Sequence, residues 1–212
     1  MTTRRRYTQR KRAASQEETR LRIVEATMQL HEEIGPRATT ISAIAERAGV
    51  QRLTVYRHFP DETAVFQACT RHWLEQHPPP HPTDWAGLEP GPARTRAALS
   101  AFYRYYRLTE RMWAASHRDE SAVPALQGPM AEFRAHLRRI GDNLIAGFGA
   151  STDTRLAATL HHALAFTTWA SLNTQGLDDG AMADLALVWV TALLPPSDTP
   201  RPAEADTATH RE

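Results

Sequence analysis

The chain has 212 residues, of which 42% are hydrophobic and 23% charged, with 25 Lys+Arg against 24 Asp+Glu and a formal net charge of +1. That is enough chain and apolar mass for one or two packed domains, and it excludes a disordered polymer or a disulfide-stapled miniprotein. A single cysteine, Cys69, cannot form an internal disulfide and fits a reducing compartment. No run of about 18 apolar residues is available to span a membrane, and the N-terminal arginines are not followed by the apolar stretch of a secretory signal. The expected location is therefore the cytoplasm.

The charge is unevenly divided. Residues 1–60 carry eleven Arg and Lys11 against six Glu, a net of +6, while residues 61–212 carry thirteen Arg against eighteen acids, a net of −5. A basic third on a mildly acidic remainder suggests a nucleic-acid module joined to something else.

In chain order, residues 1–16 are polar and Arg-rich without period, and are expected to be a disordered basic arm. From residue 17 a helical period begins. Leu21, Ile23, Val24, Thr27, Met28, Leu30 and Ile34 fall on one half of the wheel, and Gly35-Pro36 ends the pattern. Ile41, Ile44, Ala45 and Ala48 repeat at i, i+3, i+4, i+7, the apolar face of a two-turn helix. A Thr hydroxyl before it takes an orphan N–H, and Gly49 stops it. Gln51–His58 forms a third short helix with Leu53 or Val55 inward. A fourth runs from Pro60-Asp61 to about Gln76, with Val65, Phe66, Cys69, Trp73 and Leu74 as its apolar face. Residues 78–92 hold six of the fourteen prolines and read as a linker. Helical patterns follow over 93–109, 110–119, 124–149, 153–175 and 178–194, and Pro195-Pro196 opens a polar tail, 195–212. No β-type alternation is sustained, so the expectation is an all-α protein of about nine helices. The domains are then 17–60, a linking helix 61–77, the linker 78–92, and a larger helical domain 93–194.

Two short helices around a glycine turn, the second with polar residues outward, make a helix-turn-helix, whose second helix fits a major groove about 12 Å wide. That second helix offers Gln51, Arg52, Thr54, Tyr56, Arg57 and His58 for base edges and phosphates.

The stretch Thr39-Thr40-Ile41-Ser42-Ala43-Ile44-Ala45-Glu46-Arg47-Ala48-Gly49-Val50, followed by Thr54-Val55-Tyr56-Arg57-His58-Phe59-Pro60, resembles the signature of TetR-like transcription regulators. The resemblance covers about residues 18–75. It implies a homodimeric, all-helical protein in which a three-helix DNA-binding domain is coupled through a fourth helix to a ligand-binding and dimerisation domain. By the same resemblance the DNA contacts are Thr40, Ser42, Gln51, Arg52, Thr54, Tyr56, Arg57 and His58. One position departs from the pattern: where the family usually has a lysine at the start of the fourth helix, this chain has Glu62 after Asp61. The arm residues Arg4, Arg5, Arg6, Arg10, Lys11 and Arg12 are candidates to supply the missing backbone contact.

In the second domain, Tyr103, Tyr106, Trp113, Phe133, His162, Phe166 and Trp169 are candidates to line an apolar pocket, several of them because a buried polar tip must find a partner. Leu160, Leu164, Thr168 and Leu172, with Leu185, Val188, Trp189 and Leu193, make two stripes suited to a dimer seam. No metal site, cofactor loop or catalytic set is recognisable in the sequence. The reading is a ligand-responsive repressor with three partners: double-stranded operator DNA, a small-molecule effector of unknown identity, and a second copy of itself. The alternatives are a DNA-binding regulator without an effector, or a helical carrier or enzyme with an incidental helix-turn-helix.

Overall fold

The computed structural model describes residues 2–149 and 153–194. The helices are α1 Thr2–Glu33, α2 Ile41–Arg47, α3 Arg52–His58, α4 Glu62–Gln76, α5 Pro92–Asp119, α6 Pro124–Ala146, α7 Thr154–Ala163, α8 Phe166–Asn173 and α9 Asp179–Thr191, with no strand among the described residues. The tail 195–212 lies outside them.

Two cores organise these helices. The smaller joins Ile23, Val24 and Leu30 of α1 to Ile41, Ile44 and Ala45 of α2, Val55 of α3, Phe59, and Val65 and Ala68 of α4. The larger fills the space between α5 and α9, and reaches Phe66 and Trp73 of α4. Neighbouring residues of α4 thus belong to different cores, so this helix is shared wall rather than tether. The proline-rich segment is also pinned. It contains a 3-10 turn, Pro82–Trp85, capped by His81, and Trp85 is buried with its ring 6.3 Å from that of Phe102.

Several expectations are corrected. Residues 2–16 were expected to be unstructured, but α1 extends back to Thr2. The stretch has no Gly or Pro and is rich in Arg, Gln and Ala, so it propagates a helix whose nucleus is already packed from Ile23 onward. Leu21 and Ile34, placed on the apolar half, are exposed, as is Leu74 of α4. Of Leu53 and Val55, Val55 is fully buried and Leu53 points out. The division expected between helices 93–109 and 110–119 is borne out as a kink within α5, where Thr109 leaves helical geometry (φ −120°, ψ 16°) and its hydroxyl donates back to the Tyr105 carbonyl.

The helix expected over 153–175 is instead broken. Ala165 is extended (φ −73°, ψ 143°), which separates α7 from α8 and frees carbonyls inside the core. Two tyrosines of α5 satisfy them. Tyr103 Oη donates to the Ala163 carbonyl at 2.9 Å and Tyr106 Oη to the Leu164 carbonyl at 2.8 Å. A buried acceptor stripped of its donor costs about 1–3 kcal/mol. Tyr106→Phe is therefore expected to lower unfolding stability by that amount. Urea denaturation checks it, and an unchanged midpoint would remove the role given to the hydroxyl.

Candidate DNA-binding surface and interdomain cavity

The helix-turn-helix is built locally. Thr40 caps α2, its Oγ1 accepting from the Ala43 amide at 3.2 Å. Gly49 takes φ 66° in the turn, and the Val50 amide closes it by donating to the Ala45 carbonyl at 2.9 Å. Val55 and Phe59 then anchor α3 on the small core, which turns its other face outward. Thr40, Ser42, Gln51, Arg52, Tyr56 and Arg57 are exposed, and Thr54 and His58 are half-buried. The structure thus brings the eight sequence-predicted DNA contacts together on α2, the turn and α3.

Not every basic side chain of this third is free for DNA. Arg47 grips Glu33 through two bonds, 2.9 and 2.7 Å, which holds the Glu33 carboxyl below the usual carboxylate range. Arg20 lies 5.1 Å above the Phe59 ring, and Arg22 donates to the Ala48 carbonyl at 3.4 Å. These arginines fasten α1 to the recognition unit. Arg10, Lys11 and Arg12 of the expected arm are exposed on α1. The side chains of Arg4, Arg5 and Arg6 lie outside those described. The acidic start of α4 also has a local reason: Asp61 caps the helix, its Oδ1 accepting from the Ala64 amide at 2.8 Å, and Glu62 lies in the first turn.

A cavity of about 330 Å³ lies where α1, α4, α5 and α6 meet. Its walls include Trp73, Met112, Trp113, Leu126, Met130 and Phe133, with His31 of α1, Cys69 and Thr70 of α4, Ser116 of α5, and Glu132 and His136 of α6 as the polar members. Two of the residues proposed from sequence to line a pocket, Trp113 and Phe133, do so, with ring centroids 4.1 Å apart. The other five do not. Tyr103 and Tyr106 serve the α7–α8 break. Phe166 and Trp169 fill the core beside Tyr106. His162 Nε2 faces Thr168 Oγ1 at 3.3 Å.

Sequence reasoning missed His31, on the DNA-binding side of that cavity. It is buried, its ring packed edge-on to Phe66 at 4.5 Å and its Nδ1 3.7 Å from Cys69 Sγ. Desolvation pushes its pKa down to about 4, so it is neutral, and burial pushes the Cys69 thiol up to about 12, so it keeps its proton. The available signal was spacing: His31 follows Ile23 and Thr27 by eight and four residues and so continues the buried stripe.

A second missed feature joins the domains. At the end of α5, Asp119 is buried and its Oδ2 accepts from the Arg37 amide at 3.0 Å, while Arg118 brackets the same carboxylate and reaches the Ile34 carbonyl. The joint closes on Gly35, whose backbone (φ 89°, ψ 158°) leaves room for both side chains. Met112, Trp113 and Ser116 of the cavity wall precede Asp119 on the same helix, so α5 runs from the cavity to the start of the helix-turn-helix.

The two stripes proposed as a dimer seam are divided. Leu160, Leu164 and Thr168 are buried within the chain, because their side of α7 and α8 packs onto the large core. Leu172, Trp189 and Leu193 are half-buried, and Leu185 and Val188 are exposed, Val188 by 60%.

This geometry is that of a helix-turn-helix DNA-binding regulator with a helical C-terminal domain. Residues 23–69 match the family model of bacterial regulatory proteins, tetR family. The HTH-type transcriptional regulator SrpR of Pseudomonas putida is 42% identical over 69 residues, a match spanning 32% of this chain and 32% of that protein. The HTH-type transcriptional regulator BetI of Burkholderia mallei is 27% identical over 186 residues, covering 84% of this chain and 94% of the relative. A TetR-like transcriptional regulator from Rhodococcus sp. RHA1 superposes with a TM-score of 0.59 at 18% identity, over 81% of this chain and 93% of that one, and so shares the fold. No described helix is long and apolar enough to cross a membrane.

Proposed function

We propose that this regulator is a homodimeric, cytoplasmic repressor released from a palindromic operator when a small molecule enters the interdomain cavity, and that its role is regulatory rather than catalytic. The observation that carries this reading is the position of the cavity. Its walls include α1 and α4 of the DNA-binding side and α5 and α6 of the large domain, so an occupant touches both. A ligand shifts a conformational equilibrium only through different affinities for the two states. A cavity bounded by both domains provides that difference whenever they move relative to each other. The motion has a rigid route, along α5 to Asp119 and the Arg37 amide.

In a two-fold dimer, two copies of α3 enter successive major grooves about 34–36 Å apart. The exposed apolar residues Leu185 and Val188 of α9, with the half-buried Leu172, Trp189 and Leu193, support a partner on that face. Arg52, Tyr56 and Arg57 supply base and phosphate contacts, and Arg10, Lys11 and Arg12 extend the positive surface along α1.

A gel shift on the DNA flanking the protein's own gene tests the reading. The wild type is expected to retard a specific fragment. Arg52→Ala is expected to weaken specific binding by about 1–3 kcal/mol, or roughly fivefold to 150-fold, with unchanged thermal stability because the side chain is exposed. Normal operator affinity in Arg52→Ala and in Tyr56→Phe would overturn the assignment of α3.

A further inference from the structure

We propose that the interdomain cavity selects an uncharged, mainly apolar small molecule carrying a hydrogen-bond acceptor, which is received by the ring N–H groups of His31 and Trp113. This deepens the effector reading above and rests on it.

Three observations converge. First, the wall is aromatic and aliphatic: Trp73 and Trp113 meet nearly perpendicular, 84° with centroids 6.0 Å apart, and Met112, Met130 and Phe133 complete it. About 330 Å³ sits at the small end of the range for ligand sites, where most affinity comes from apolar burial and a few polar groups set orientation.

Second, two buried nitrogen atoms in the residues of this wall make no well-formed hydrogen bond among the described residues: His31 Nε2, and Trp113 Nε1, which has the Tyr105 hydroxyl beside it. Both residues are more than nine-tenths buried. The indole nitrogen is a donor only. The protonated Cys69 thiol faces Nδ1 of His31 at 3.7 Å, and with its proton directed at that nitrogen the ring proton sits on Nε2, which is then a donor too. An orphan buried donor is costly, so each is a place where an acceptor gains more than it would in water. By contrast, the third indole of the region, Trp73, already donates to Glu32 at 3.4 Å.

Third, the charge pattern excludes the commonest acceptor, a carboxylate. Among the described residues, no Lys or Arg lines the cavity. Burial holds both His31 and His136 toward the neutral form, and His136 is turned to the Pro80 carbonyl at 3.2 Å. Among the described residues the acidic side chain lining the wall is Glu132, which disfavours an anion. A cation would find Glu132 and the aromatic faces, but would leave both N–H groups unpaired. A neutral acceptor such as a ketone or ester carbonyl gives either donor a partner without a counter-charge.

Four naphthalenes of nearly equal size, substituted at position 2, separate these chemistries by isothermal titration of the full chain. They are the acetyl compound (neutral acceptor), the ethyl compound (no acceptor), the carboxylate, and the aminomethyl compound (a cation at neutral pH). The acetyl compound is expected to bind at least about tenfold more tightly than each of the others, one good hydrogen bond being worth about that factor. His31→Phe and Trp113→Phe, both judged folded by thermal melts, are expected to reduce the ratio of acetyl to ethyl affinity. Tightest binding of the carboxylate or the ammonium, equal binding of acetyl and ethyl, or no binding of any, overturns the proposal, and none of these outcomes depends on a variant. The same four compounds added to the gel shift keep the two readings apart. The predicted order of affinity without operator release would sustain the ligand class and defeat the effector role. Release by the ammonium or carboxylate alone would do the reverse.

Discussion

Gly35→Ala is expected to cost about 3 kcal/mol of stability and to loosen the coupling between the cavity and the DNA-binding domain. At φ 89° and ψ 158° the backbone is in a region that L side chains rarely occupy, which alone costs about 1–3 kcal/mol. The added methyl also meets Arg118 Nη2 and Asp119 Oδ2. The Arg118 side chain is 60% exposed and can swing away, whereas that of Asp119 is only 6% exposed and has nowhere to go. Its bond to the Arg37 amide is then the casualty, a charged hydrogen bond worth about 1.5–3 kcal/mol. The control is Gly49→Ala, where φ is 66° but nothing lies within 4 Å of the new carbon. That substitution carries only the left-handed backbone penalty, about 1–2 kcal/mol. Urea denaturation of both variants checks the contrast, and equal losses would show that Arg118 and Asp119 do not form a tight joint with Gly35.

Acid is expected to destabilise the protein by about 3 kcal/mol through His31 alone. The group titrates near 4 when folded against 6.5 for the free side chain, because burial penalises the imidazolium more than the nearby Asp119 carboxylate favours it. Below 6.5 the unfolded chain therefore binds a proton that the folded chain refuses. Stability is complete above about 6.5 and falls steadily as the pH drops to about 4. Asp119 adds to the loss at still lower pH. Its carboxyl is held below the usual range, chiefly by its bonds to Arg118, and stability from that source disappears once it is protonated. Thermal or urea unfolding between pH 4 and pH 7 measures the slope, and His31→Phe should flatten it over that window. A variant with the wild-type slope would mean that another group carries the acid sensitivity. His117 and His136 are the nearest alternatives, since burial lowers both.

The DNA-binding third was legible because its determinants are local. The spacing of Ile41, Ile44, Ala45 and Ala48, the Thr40 cap and the Gly49 turn lie within ten residues, and each does in the structure what its chemistry suggests. The choice between Leu53 and Val55 was not local, since in a seven-residue helix only the neighbouring elements decide which one faces inward. The cavity was legible only in kind. Aromatic richness pointed to α5, α6, α7 and α8, but of these only α5 and α6 line the wall, which also takes His31, Cys69 and Trp73 from α1 and α4, and contacts between elements distant in sequence leave no local pattern. Tyr103 and Tyr106 illustrate the same gap. A buried hydroxyl needs a partner, and sequence alone cannot say whether that is a ligand or a carbonyl. The answer depended on a helix break at Ala165 that no glycine or proline announces. Likewise Leu160, Leu164 and Thr168 form a stripe that any apolar neighbour could cover, and the neighbour is the chain's own core. The Gly35–Asp119 joint spans more than eighty residues and was invisible until the fold brought its ends together.

The central claim is that cavity and recognition helix share one conformational equilibrium. Thermodynamic coupling is reciprocal: a ligand that weakens operator binding by some factor must itself be weakened by bound operator by the same factor. The direct measurement is therefore the affinity of 2-acetylnaphthalene for the regulator, free and saturated with its operator duplex. We predict a several-fold weaker affinity for the DNA-bound protein, matching the loss of operator affinity that the ligand causes. Equal affinity in the two states would contradict the account.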